Sequence, residues 1–330
     1  MKFVRFVWQN EEGVGLLGPT GEFVLSLSAV GRVVGRNFPF RDMETYIQNR
    51  LCYEAWVEWV YNRYHLRGDF EELQVPYAVV RVLSPIRRPV SLRDGYAFRQ
   101  HVEAARRNRG LPMIPEFDQF PVFYFSNPLA ITGPGPIYVE PRHLEKLDFE
   151  LEVAIVLGKS GRNIPAHQAD SYIFGYMLMN DWSARALQME EMKLNLGPAK
   201  GKDFATSLGP WLVTPDELEP YKVSSPPGHV GNAYKIALQA ELNNKPISYG
   251  YLSDMSWTFA EIIERVSYGV EVLPGEVIGS GTVGTGCLLE INGRQKQENP
   301  EAPETWLAVG DEVLLIGQEL GALVNKIESA

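Results

Sequence analysis

A chain of 330 residues, 45% hydrophobic and 22% charged, has a globular composition that excludes disordered and fibrous classes and gives room for one large core with a smaller companion. A formal net charge of −10 argues against a nucleic-acid partner, because neutralising phosphates takes an excess of Lys and Arg. Only Cys52 and Cys287 occur, which excludes a disulfide framework and a C-x-x-C motif and leaves two thiols expected to be buried; no leader pattern and no membrane-length apolar run is present, so a cytoplasmic protein without a membrane partner is expected.

Residues 1–83 read as a small β-rich domain with a helical segment. Lys2–Trp8 and Gly13–Leu17 have strand patterning, and Tyr46, Tyr53, Trp56, Val60 and Tyr64 recur at helical spacing between Met43 and His65. Ser84–Pro89 is an extended linker, since each proline disfavours helix at the residue before it. Residues 84–330 carry many short strands rich in Val, Ile and Leu with few long helices, which predicts an α+β class, mostly β, without internal repeats.

Within that second region Leu92–His101 reads as helical, with Asp94, Phe98 and His101 on one face. Spacing alone favours a structural His101 over a catalytic one, because a base near neutral pH needs an orienting partner. Arg99, Arg106, Arg107 and Arg109 form a basic run that is either a solvated helix face or an attractor for a small carboxylate. Ile131–Pro136 reads as a loop. Leu147–Gly158 reads as a strand with Glu150 and Glu152 on one face; an exposed face would make them simple solubilising groups, but Ala154 and Val156 continue that face, and buried paired carboxylates call for a cation.

The apolar strand from Ile173 runs toward a helix, with Asp181 at the junction as cap or ligand and Asp181, Arg185 and Gln188 in one polar stripe. Oxygen donors from two Glu and one Asp select Mg²⁺, Ca²⁺ or Mn²⁺ over zinc. Lys202 lies in a loop of small and apolar residues, a surface turn or an oxyanion donor. Gly279–Gly284 matches G-x-G-x-x-G, but Cys287–Ile291 reads as another strand and Asn292-Gly293 as a hairpin, so a dinucleotide fold is not expected; Glu290 is then an acid within a strand.

Taken together, Asp148-Phe149-Glu150-Leu151-Glu152, Met179–Arg185 with Gln188, Gly201–Phe204 with Thr206, and Gly279–Thr282 with Glu290 resemble the fumarylacetoacetate hydrolase family over roughly Ser84 to Leu320. The resemblance implies a mixed β-sandwich roll for the catalytic domain, a small β-rich N-terminal domain and a homodimer. It implies that Asp94, Glu150, Glu152 and Asp181 bind the divalent metal, Mg²⁺ or Ca²⁺ with Mn²⁺ as a further option, and that Lys202 and Thr206 border it. By the same resemblance His101 is the general base, Glu290 orients it, and Lys202 and Gln188 stabilise the oxyanion. Tyr96, Tyr124, Arg185, Gln188 and Thr282 match substrate-contacting positions, and Arg109 matches a carboxylate-binding arginine across a one-residue gap. Met192 replaces a substrate-binding tyrosine of the animal enzymes. The implied activity is hydrolysis of a carbon–carbon bond in a small anionic β-dicarbonyl (fumarylacetoacetate, fumarylpyruvate or acylpyruvate type), as in the breakdown of tyrosine and other aromatic compounds. The alternative within the family is a decarboxylase, hydratase or isomerase; retention of both His101 and Glu290 favours hydrolysis over decarboxylation.

Overall fold

The computed structural model describes residues 1–330. Its main sheet runs, in spatial order, through Gln74–Pro76, Phe23–Ser26, Glu11–Leu17, Lys2–Trp8, Thr206–Val213, Ile173–Asp181, Leu151–Leu157, Val277–Gly279, Leu92–Gly95 and Phe123–Ser126. All of these neighbours are antiparallel except Val277–Gly279 and Leu92–Gly95, which run parallel. A second sheet orders Lys245–Tyr251, Ala237–Leu242, Glu312–Gly317, Gly321–Ser329 and Gly135–Val139. The class is α+β, mostly β. No helix is long and apolar enough to cross a membrane.

The central strand Leu151–Leu157 is buried throughout because both of its faces are covered. Leu151, Val153, Ile155 and Leu157 enter a core shared with the five-stranded sheet and the helix Phe259–Ser267. Ala154 and Val156 face the other way, into a core built with Leu27, Val30, Met43, Tyr46, Trp56 and Val60 from the three N-terminal helices. Residues 1–83 thus add their strands to the main sheet and roof one of its faces.

Several local expectations are corrected. Leu92–Gly95 is a strand, and the helix starts only at Arg99, because pairing with Val277–Gly279 on one side and Phe123–Ser126 on the other decides the conformation of so short a segment. Asp181 ends a strand; the helix begins at Arg185. The stretch after Cys287 is the helix Leu288–Glu298. Ile131–Thr132 and Gly135–Val139 are short strands rather than loop. The Met43–His65 stretch is two helices, Met43–Gln48 and Glu54–Arg67, and Cys52 in the break between them is exposed.

Candidate active site

Two adjacent strands, and a third reached across Val277–Gly279, carry the acids to one place. Glu152 is the second residue of the fully buried central strand and Glu150 lies just before that strand; Asp181 ends the adjacent strand, with its amide donating to the Glu150 carbonyl at 3.4 Å; Asp94 pairs with Gly279 on the other side. One carboxylate oxygen from each of Asp94, Glu150, Glu152 and Asp181 lies within 4.8 Å of the others, and all four side chains are buried. Gly279 makes this possible: a Cβ there would stand 2.3 Å from Asp94 Oδ1 and 3.0 Å from Glu152 Oε2. Gly281 supports it from the next turn. Its φ of +80° suits glycine, and its amide donates to Asp94 Oδ1 and Glu152 Oε2, each at 3.1 Å.

The cluster is only partly neutralised. Lys202 donates to Glu150 Oε2 and, at 2.6 Å, to Asp181 Oδ2; Arg185 donates to Glu150 Oε1 at 2.7 Å and to Asp148 Oδ2 at 2.9 Å. Five buried carboxylates, counting Asp148, therefore face two buried cations. Burial would raise the Glu150 carboxyl, but Lys202 and Arg185, with His101, hold it below the usual carboxylate range. Burial and the neighbouring charge of Asp181 push Asp94 up to about 7, and burial with Asp94 and Glu150 lifts Glu152 well above its ordinary value. Asp181 Oδ1 is buried and has no hydrogen-bond partner. An orphaned carboxylate oxygen, surplus negative charge and four converging hard donors fit a divalent cation.

Beside the cluster, His101 stands in the first turn of the helix Arg99–Arg107 and Glu290 in the first turn of Leu288–Glu298. His101 Nδ1 lies 2.5 Å from Glu290 Oε1, and Glu290 Oε2 accepts from the Thr285 amide at 3.1 Å. The Tyr96 ring packs edge-on against His101 with centroids 5.4 Å apart. Tyr124 donates its hydroxyl to Asp181 Oδ2 at 2.5 Å. Gln188 accepts from Arg185 at 3.1 Å, and Thr282 reaches Glu152 at 3.5 Å. Thr206 pairs with Asp181 across the sheet and is buried, but its hydroxyl makes no bond to the cluster. Arg109 is the outlier: it is exposed at the end of its helix, bonded only to the Ala105 carbonyl, although its charge still lowers the Tyr96 phenol against burial.

Two further acids are part of the arrangement. Asp148, fully buried, accepts from the Leu288 and Leu289 amides at 2.7 and 3.0 Å as well as from Arg185. The alternation that pairs Glu150 with Glu152 extends back to Asp148, so a signal was present. Glu191 accepts from the amides of Ala199 at 2.9 Å, Lys200 at 2.5 Å and Gly201 at 3.4 Å, which fastens the loop that ends in Lys202. It stands three residues after Gln188, one turn further along the same helix. Cys287 is buried with its thiol 3.9 Å from Glu290 Oε1.

Residues 91–328 match the family model described as fumarylacetoacetate (FAA) hydrolase C-terminal. A fumarylacetoacetase of Arabidopsis thaliana is 32% identical over 247 residues, 62% of this chain and 58% of that protein, so the matched region spans less than two thirds of the relative's length. The oxaloacetate tautomerase YisK of Bacillus subtilis is 28% identical over 227 residues, 67% of this chain and 66% of its own. In fold, the chain matches the crystal structure of maleylpyruvate hydrolase from Sphingobium sp. SYK-6, in complex with manganese(II) ion and pyruvate, with a TM-score of 0.68 at 16% identity and full coverage of both chains. With the family model covering well over half of the residues and all four acids of the cluster inside the matched region, this chain belongs to the fumarylacetoacetate hydrolase family.

Proposed function

We propose that this protein hydrolyses a carbon–carbon bond in a small anionic β-dicarbonyl compound, with a divalent metal held by Asp94, Glu150, Glu152 and Asp181. The observation that supports it most directly is the His101–Glu290 pair standing beside the buried carboxylate cluster. When bound, the metal supplies a Lewis acid for the two substrate carbonyl oxygens. Donors that are all carboxylate oxygen favour Mg²⁺, Ca²⁺ or Mn²⁺.

The residues of the chain supply the rest. Glu290 takes the Nδ1–H of His101, which leaves the Nε2 lone pair as the base. His101 removes a proton from water, and the hydroxide adds to one carbonyl carbon. The bond to the central carbon then breaks; its electron pair leaves with that carbon, which is protonated to give a ketone while the attacked carbonyl becomes a carboxylic acid. Lys202 gives two of its three N–H groups to Glu150 and Asp181, and the third remains for the oxyanion. The Gln188 carbonyl is taken by Arg185, so its NH₂ end is the free donor. Tyr96, Tyr124, Arg185 and Thr282 flank the substrate, and Arg109, without a carboxylate partner, serves a distal substrate carboxylate at the edge of the site.

The test is turnover of fumarylacetoacetate, fumarylpyruvate, acylpyruvates and oxaloacetate with Mg²⁺, Mn²⁺ or Ca²⁺. Cleavage of at least one β-dicarbonyl is expected, and His101→Ala should abolish it while metal still binds; persistent cleavage in that variant refutes the base. The likeness to the B. subtilis tautomerase favours one other reading, in which a proton moves between carbon and oxygen without attack by water. Accelerated enol–keto interconversion of oxaloacetate with no broken carbon–carbon bond would decide for it.

A further inference from the structure

Asp148 has no part in the chemistry just described, yet its carboxylate joins both halves of the site. The helix Leu288–Glu298 opens at Cys287, whose side chain gives no cap. The first amides of a helix need acceptors from outside it, and here the acceptor comes from a different strand: Leu288 donates to Asp148 Oδ1 at 2.7 Å and Leu289 to Oδ2 at 3.0 Å. Glu290 is the next residue, so whatever holds these two amides sets where the Glu290 carboxylate points. The same Oδ2 takes Arg185 Nε at 2.9 Å, and Arg185 in turn holds Glu150 at 2.7 Å. The Phe149 amide, at 2.9 Å from Oδ1, fixes the Asp148 side chain on its own strand.

We propose that Asp148 is a positioning residue: its carboxylate fixes Glu290, and through it His101, relative to the carboxylate cluster. The assignment rests on the reading of His101 and Glu290 as the base and its orienting partner. Every group that Asp148 contacts is a donor, so Asn is the sharp perturbation. It keeps the shape but turns an NH₂ toward the Leu289 amide and Arg185, and the start of the helix must shift. A displacement of about 1 Å between base and substrate costs on the order of 100-fold in rate.

The test compares Mn²⁺-loaded wild type, Asp148→Asn, Asp148→Ser, Glu290→Gln and the Asp148→Asn/Glu290→Gln double variant on acetylpyruvate. Asp148→Asn should lower kcat about 100-fold with KM and the Mn²⁺ dissociation constant within about threefold. The double variant should be no slower than Glu290→Gln alone within that margin, since two residues acting through one bond are not additive. A reading that needs no turnover is the far-downfield proton resonance of the His101 Nδ1–H to Glu290 bond, recorded with diamagnetic Mg²⁺ in place of Mn²⁺, present in wild type and lost in Asp148→Asn. The proposal is overturned by an unchanged kcat or resonance in Asp148→Asn, by losses that multiply in the double variant, or by failure of both position-148 variants to fold, which would make the residue purely structural. Failure of the underlying reading shows elsewhere, as full activity in Glu290→Gln.

Discussion

Replacing Gly279 by Ala isolates the geometry of the carboxylate cluster from its chemistry. The added methyl group stands 2.3 Å from Asp94 Oδ1, 2.9 Å from the Met179 methyl and 3.0 Å from Glu152 Oε2. Met179 ends in a flexible thioether and can turn aside, but the two carboxylates cannot withdraw without leaving the cluster. Restoring ordinary contact with Asp94 requires a displacement of roughly 1 Å, well outside the ~0.2 Å tolerance of a metal–oxygen bond. Disturbing ligands to this degree weakens metal affinity by about 10–100-fold, or ~1.4–2.7 kcal/mol. Overpacking alone should take about 1–3 kcal/mol from the stability of the protein, so the fold survives in all but a marginal case. Calorimetric titration of Mn²⁺ into both proteins, with circular dichroism to confirm the fold, is the assay. A folded Gly279→Ala variant that binds Mn²⁺ within threefold of wild type would refute the assignment of Asp94 and Glu152 as ligands that converge over this glycine.

Three more expectations follow from the same geometry. Asp94 is raised to about 7 by burial and the charge of Asp181, and Glu152 is raised by burial and Asp94; in the metal-free protein, stability from keeping Asp94 protonated is present below about pH 4 and is lost as pH rises through about 7, and the Glu152 shift acts in the same direction. Metal binding needs both ionised, so the rise in Tm on adding Mn²⁺ should be larger at pH 8 than at pH 5; an equal or smaller rise at pH 8 contradicts the placement of the ion. Glu290→Gln should lower kcat by about 100-fold or more while the Mn²⁺ dissociation constant holds, measured by steady-state kinetics beside calorimetry, because the buried imidazole loses the charged acceptor that orients it. Glu191→Ala frees three amides of the loop before Lys202, so the variant should lose ~1–2 kcal/mol of stability by denaturant melt and about tenfold in kcat/KM; wild-type values in both would show that the loop holds itself.

What the sequence discloses, and what it hides, divides along a physical line. The period of two that sets Glu150 and Glu152 on one face survives folding because it is local, and Ala154 and Val156 on that face announce its burial. The convergence of Asp94 with them was legible only through family resemblance, since Asp94 arrives by a parallel pairing of Gly279 with a strand more than 180 residues earlier in the chain. The same distance explains the misread secondary structure at Leu92–Gly95, where cross-strand partners on both sides override a helical spacing.

In the Gly-rich stretch the structure replaces the reason for not expecting a dinucleotide with a different one. A strand, Val277–Gly279, does precede Gly281 and a helix does follow, so the expected context for a dinucleotide loop is present after all. What excludes a pyrophosphate is the occupant of the helix start: the Leu288 and Leu289 amides, which a phosphate would need, are already spent on Asp148. The glycines meanwhile serve the acids, Gly279 by lacking the methyl group that would part Asp94 from Glu152 and Gly281 by giving both its amide. A motif therefore carries chemistry only with its acceptors, and here those acceptors are carboxylates of the chain itself, which turns a nucleotide signature into the floor of an acidic site.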